Sequence, residues 1–336
     1  MFFSSWLRRR SSKRTAERRS THKPTAPQFR PHLEALEGRI VPSTLTVTNN
    51  LDSGAGSLRA VIARANSKDT IVFAPALTGQ TITLTSGELD ISRSLTIRGP
   101  GAGNLSISGG DASRVFEVDG SKSAVTLSGL TITHGKSYAG GGGDFNSASG
   151  GGILNYQANL TVSDCTISYS SGSQGGGIRN DGGTVTLTAC TLSHNHSDNG
   201  GGFFNNGTAS LSGCTLIANT ATSDGGGLYN FSGTNILSVN GCTFTSDPPF
   251  VGPAQSAEYG GGIYVNAGTV TVSKCTFASN IASQGGGAAI YNLYGRLTIS
   301  GSTFSDPYNY DRDYIDGMFY SGNGGFYTDG GGNTFH

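Results

Sequence analysis

The chain reads as an all-β, right-handed parallel β-helix of about ten coils, each about 25 residues long, with a short helix capping its N-terminal end. Three observations predict this. Glycine triplets recur at a fixed interval, apolar residues alternate and then slip by one, and asparagine and cysteine return at the same place in each repeat.

The triplets begin at 150, 175, 200, 225, 260 and 285, so four of the five spacings are 25 residues. An interval of 20–50 residues marks a solenoid or a repeat array. Glycine suits a turn that every coil repeats, because it reaches positive φ and permits close backbone approach. The triplets lack the Lys-Ser/Thr of a phosphate-binding loop and the Asp spacing of calcium-binding nonapeptides.

Later in each repeat come LTVSDCTI, VTLTACTL, LSGCTL, LSVNGCTF, VTVSKCTF and LTISGSTF. Their apolar residues alternate, as on a strand with one buried face. The pattern then takes a step of three, from Val162 to Cys165 and from Leu187 to Cys190, before alternation resumes. On a straight strand that step would throw later side chains outward. A bend at the step keeps them inward, so each repeat supplies two sides of a coil and the Gly-apolar-Asn segment a third. The same grammar appears at Val125, Leu127, Leu130 and Ile132, and earlier short strands are expected at 70–73, 81–85, 95–98, 105–108 and 115–118.

Two ladders follow from the period. Asn155, Asn180, Asn205, Asn230, Asn266 and Asn292 follow the triplets and predict a stack of side-chain amides. Cys165, Cys190, Cys214, Cys242 and Cys275 share one slot, which Leu130 and Ser302 fill elsewhere. Their odd number and lack of CxxC pairs predict buried thiols rather than a zinc site or a disulfide framework. In SLRAVIARAN at 57–66 the apolar residues follow helical spacing, and Ser57 is placed as N-cap. This helix would cover one end of the stack, which is otherwise an open edge.

Charge divides the chain. Residues 1–39 carry ten Lys/Arg against three Asp/Glu, and the remainder is acidic. The domain reading is a basic targeting segment at 1–43 and a single β-helix domain at 44–336. An acidic folded part excludes a nucleic-acid binder, and no apolar run is long enough for a transmembrane helix.

Insertions in repeat proteins are displayed as loops and often bind partners. The ten extra residues fall in 246–259, which is rich in proline, and a second insertion lies at 137–149. Tyr138, Phe145, Phe250 and Tyr259 are therefore the candidate binding residues, either exposed to sugar or protein or folded back on the rod. Asp311, Asp313 and Asp316 have a spacing that would suit calcium, and a solvated acidic loop is the alternative. No other cofactor is indicated. His194-Asn195-His196 resembles a metal pair, but Asn195 aligns with Asn219 and Asn280, which makes it a coil turn. Asp164, Asp181, Asp198 and Asp224 occupy differing repeat positions, with Asp198 and Asp224 in turns. Arg179, Lys122, Lys136 and Lys274 are scattered, so no catalytic set converges.

Three resemblances add to this. FASNIASQGGGAAIYN at 277–292 resembles the repeat of chlamydial polymorphic outer-membrane proteins, through Phe277, Asn280 and the triplet. That implies a surface adhesin with a β-helix, although no C-terminal run of alternating strands suggests a membrane barrel. Residues 57–133 look like the start of bacterial pectin-lyase-like β-helix proteins. FRPHLEALEGRIVPS at 29–43 resembles the N-terminal sorting region of planctomycete extracellular proteins, which implies export. The functional expectation is an extracellular or cell-surface structural or adhesive protein, whose partner is a polysaccharide or a surface protein. A polysaccharide lyase or glycoside hydrolase is the alternative.

Overall fold

Four parallel ladders form the sides of the coil. The computed structural model describes residues 42–137, 148–245, 257–305, 319–321 and 325–336. The 1–43 segment, apart from Pro42 and Ser43, lies outside them, as do Tyr138, Phe145, Phe250, Asp311, Asp313 and Asp316. The chain is an all-β parallel β-solenoid of about 9 turns.

The first face runs through Leu89–Ile91, Phe116–Asp119 and Ile153–Tyr156, and on to Leu228–Asn230, Ile263–Val265 and Ile290–Asn292. The second begins at Thr44–Val47 and Thr70–Phe73 and passes through Ala124–Ser128, Asn159–Ser163 and Thr269–Ser273. Ile178–Thr188 and Phe203–Ser212 cross from the first face to the second without a break. The third face is a 10-stranded ladder from Gln80–Thr83 to Thr334–Phe335. The fourth is short, with His196–Asn199, Thr220–Asp224, Ala257–Tyr259 and Ala282–Gly286.

The step of three is a left-handed corner. The residue before the cysteine slot has φ of 52° at Asp164, 51° at Ala189 and 54° at Lys274, while Gly213, Gly241 and Gly301 take the same turn. One residue in this region turns the chain, so the apolar residues on both sides stay inward. The triplets supply another corner. Gly150, Gly175, Gly200, Gly225 and Gly260 have φ of 63–66°, and a Cβ on any of them would lie within 2.6 Å of a carbonyl oxygen three residues ahead.

The last triplet is out of step with the others. Ile263 pairs with Ile290, so Gly287, and not Gly285, takes the corner with φ of 58°. Ala288 and Ala289 then occupy the rungs of Gly261 and Gly262.

The core is one continuous apolar column from Val47 to Phe304. On the third face Phe244, Phe277 and Phe304 stack inward, with ring centroids 4.8 and 5.0 Å apart and planes within 8°. Offset stacking adds specific attraction to their burial. Helix α1, Leu58–Arg64, buries Leu58, Val61 and Ile62 in the same core, and the Ser57 hydroxyl accepts the Ala60 N–H at 3.2 Å.

Candidate binding groove on the first face

The parallel register turns sequence separation into a side-chain column, buried from Leu154 through Tyr229. On the first face the outward position passes from Asp90 to Glu117, Leu154, Arg179, Phe204 and Tyr229. Partners in adjacent strands lie ~4.8 Å apart, so residues about 25 positions apart become side-chain neighbours.

At the first coils the column is acidic and bordered by arginines. Arg114 is buried, and its Nη1 lies 2.6 Å from Glu117 Oε2 and 3.0 Å from Glu88 Oε2. Its Nε donates to the Ser149 carbonyl at 3.2 Å. Arg179 donates to the Ser149 hydroxyl at 3.1 Å, so Ser149 links the two arginines. Helix α1 contributes Arg59, which meets Asp52 at 2.7 Å and donates to the carbonyls of Gly87 and Glu88 at 2.6 Å each. It thereby fixes the backbone on which Glu88 stands.

Two concavities meet at Glu88. One of about 300 Å³ is lined by Arg59, Ile62, Glu88, Asp90, Arg93 and Leu95. The other, of about 220 Å³, is lined by Gly87, Glu88, Ser113, Arg114, Lys136 and Ser137. Together they give a groove with carboxylates, cations and hydroxyls on its walls.

Asp90 and Glu117 are held above the ordinary carboxyl pKa. Burial raises Asp90, with Glu117 and Asp119 adding repulsion against the opposing pull of Arg93. Burial also raises Glu117, and a hydrogen bond with Glu88 adds to this against the attraction of Arg114. A carboxyl raised by burial and like charge holds its proton to higher pH than an ordinary one.

Farther along, the column becomes aromatic. Phe204, Tyr229, Tyr264 and Tyr291 stack in turn, with centroids 4.9–5.1 Å apart and planes within 12°. Tyr259 turns back onto the rod, tilted over Tyr291 at 4.9 Å. Its side chain is partly buried there. Burial and the nearby Glu258 push Asp224 up to about 6, and burial beside Asp224 pushes Tyr229 up to about 12.

The asparagines separate into two groups. Asn155, Asn180, Asn205 and Asn230 form a continuous ladder, each amide donating to the next side-chain oxygen at 2.8–2.9 Å. Asn266 is not in it. The Gly260 corner and inward Ile263 set the register, so Val265 pairs with both Asn230 and Asn292, and Asn266 falls one residue later. Its amide donates instead to the Phe231 carbonyl at 2.8 Å. Asn292 holds the rung and donates to Gly295 at 3.1 Å. A second ladder runs through the next corner, where Asn195 donates to Asn219 at 2.9 Å.

All five cysteines are buried and unpaired. Cys242 Sγ accepts the Cys214 N–H at 3.3 Å, and Ser302 Oγ accepts the Cys275 N–H at 3.1 Å, so Ser302 continues the column. Burial pushes the Cys165 thiol up to about 11. His194 occupies a corner and stacks on Tyr169 at 4.8 Å, while the His196 ring bonds to Thr220. Among the described residues no three His, Cys, Asp or Glu gather as a metal site.

Sequence reading saw no two of Asp164, Asp181, Asp198, Asp224, Arg179, Lys122, Lys136 and Lys274 converge, and the structure corrects this for one pair. Arg179 reaches Asp181 at 3.4 Å, and Arg114, Glu88 and Glu117 form the groove cluster. Glu-Leu-Asp at 88–90 and Phe-Glu-Val-Asp at 116–119 carried the signal, as acidic residues at matching strand positions. Asp198 and Asp224 stand within strands of the fourth face, not in turns.

The architecture is that of a parallel β-helix shared with a solved pectate lyase. Similar solved structures are the pectate lyase Pel9A, with a TM-score of 0.54 and 14% identity over 80% of this chain and 77% of that one, and ORF18 of Geobacillus virus E2, with a TM-score of 0.50 and 15% identity over 84% of this chain. This chain spans 61% of the viral protein. No family model matches the chain, and no curated protein matches it in sequence.

Proposed function

We propose that this chain is an extracellular β-helix protein that binds polysaccharide in the first-face groove, serving as a structural or adhesive component of a surface. The observation carrying this reading is the meeting of two concavities at Glu88, with Arg114, Asp90 and Arg93 on their walls and Glu117 paired to Arg114. A few polar groups in a concave, partly apolar site suit a polyhydroxylated ligand. Charged hydrogen-bonding groups orient hydroxyls and carboxylates alike. The likeness to a pectate lyase fold supports the ligand class.

One observation favours a second reading, in which the groove cleaves the chain it binds. Asp90 and Glu117 are partners in adjacent strands, and both are shifted toward the protonated form. Glycoside hydrolysis uses two carboxyls on one face, one of them as an acid.

Affinity electrophoresis of the wild type, Arg114→Ala and Glu117→Gln against neutral and uronate-containing polysaccharides tests the reading. Retarded migration of the wild type that Arg114→Ala abolishes is the expected result. Equal retardation of all three proteins would place the site elsewhere. Release of reducing ends by the wild type but not by Glu117→Gln would establish the second reading.

A further inference from the structure

The groove lies where the coil lacks its fourth side. Among the described residues, the fourth ladder and its isolated bridges reach back no farther than Lys136. The groove wall at 85–88 therefore has no strand of that ladder beside it. Bonding from rung to rung stops at Leu84, whose N–H donates to the Ser108 carbonyl at 2.8 Å. It resumes at Leu89, whose N–H donates to the Val115 carbonyl at 3.0 Å.

Two side chains from the N-terminal end hold the four residues between. Asp52 accepts from the hydroxyls of Thr85, at 3.2 Å, and Ser86. Arg59 donates to the carbonyls of Gly87 and Glu88 at 2.6 Å each. The two side chains are themselves an ion pair at 2.7 Å. Asp52 has a side chain only 7% exposed, and a buried carboxylate is stable only where it is paired and hydrogen-bonded. The pair and the wall therefore hold each other.

The planar guanidinium makes this possible. Its Nε and Nη2 face Asp52 while Nη1 and Nη2 reach the two carbonyls, a fork that an ammonium cannot reproduce. Helix α1 mounts the fork on a fixed element, because Leu58, Val61 and Ile62 seat it in the core. The wall itself is loosely packed. Gly87 has φ of 89°, and a Cβ added there would meet nothing within 4 Å.

On the reading of the groove as a polysaccharide site, we infer that Asp52 and Arg59 are its positioning residues and set Glu88 for the ligand. Glu88 borders both concavities, with its carboxylate 3.0 Å from Arg114 Nη1, so a shift of its backbone alters both at once. Asp52 lines neither concavity and acts only through its partners. A binding group is held in place by such supporting contacts as much as by its own side chain.

The test is affinity electrophoresis of the full chain in gels containing polygalacturonate or hydroxyethyl cellulose. The wild type is compared with Asp52→Asn, Arg59→Lys and, as a control, Arg64→Ala at an exposed position of the same helix. Hydrogen exchange at 85–91 is read without ligand, and circular dichroism melting reports folding. The expected result is about tenfold weaker binding by Asp52→Asn and Arg59→Lys, as the loss of one charge-assisted hydrogen bond gives. Faster exchange should be confined to 85–91, and Arg64→Ala should bind as the wild type does. If Asp52→Asn does not fold, Arg59→Lys, which keeps the charge but not the fork, carries the comparison. Equal retardation of the wild type and the folded variants overturns the inference and leaves the groove reading standing. So does exchange that is unchanged at 85–91 or that rises equally in every coil. A wild type that neither polymer retards overturns the groove reading, and this inference with it.

Discussion

Asn180 lies one coil above Asn155, and its side-chain oxygen accepts the Asn155 amide at 2.9 Å. Its own amide donates to Asn205 at 2.9 Å and to the Gly183 carbonyl at 3.1 Å. Asn180→Ala would leave buried partners unpaired on both sides, so a loss of about 3 kcal/mol is expected. Urea unfolding of the two proteins measures it. A loss below about 0.5 kcal/mol would mean that the ladder adds nothing to stability.

The Gly200 corner should resist substitution. Its φ is +66°, and an added Cβ would lie 2.6 Å from the Phe203 carbonyl oxygen. Strain and collision together predict a cost of about 2 kcal/mol or more for Gly200→Ala. Gly213→Ala is the useful contrast. It has φ of +60° but nothing near the added carbon, so it should cost less.

The cysteine column should behave as hydrocarbon. A buried thiol with its pKa near 11, as at Cys165, presents almost no thiolate at neutral pH. Ellman's reagent should find no reactive thiol in the native protein and all five after unfolding. Cys190→Ser should cost about 1 kcal/mol, because a hydroxyl in this column can find backbone partners as Ser302 does. Rapid labelling of the folded chain would contradict the buried stack.

Asp224 makes stability depend on pH. Its folded pKa of about 6 lies above the ordinary 3.8, so its contribution is full below about 4 and is lost as pH rises through 6. Asp224→Asn removes the buried charge and keeps the shape. It should raise stability by about 1 kcal/mol at pH 7.5, once solvent screening is allowed for, and leave it unchanged at pH 3.5. Thermal melts at the two pH values decide this, and a uniform effect would place the shift elsewhere.

Legibility in the sequence followed the kind of contact involved. The coil period, the bend before the cysteine slot and the Ser57 cap all rest on local spacing, and the structure carries each of them. The failures are also physical. Three consecutive glycines do not reveal which takes the corner, so the register at Gly287 required the pairing of Ile263 with Ile290. Asn266 was misplaced because one inserted residue moved Val265 onto its rung. Glu88, Arg114 and Glu117 meet through ladder register, which hydrophobic periodicity does not report.

Ile153 is stacked on Ile178, and Ile178 on Phe203, each 25 positions further along. Excising 175–199 would therefore splice two turns whose every side meets its like. A tandem duplication of that length would add a turn in the same way. Because neighbours couple only to neighbours, the reach of the protein and the chemistry it displays can be inherited separately. Recombination could lengthen or shorten it in a single event without redesigning any surface.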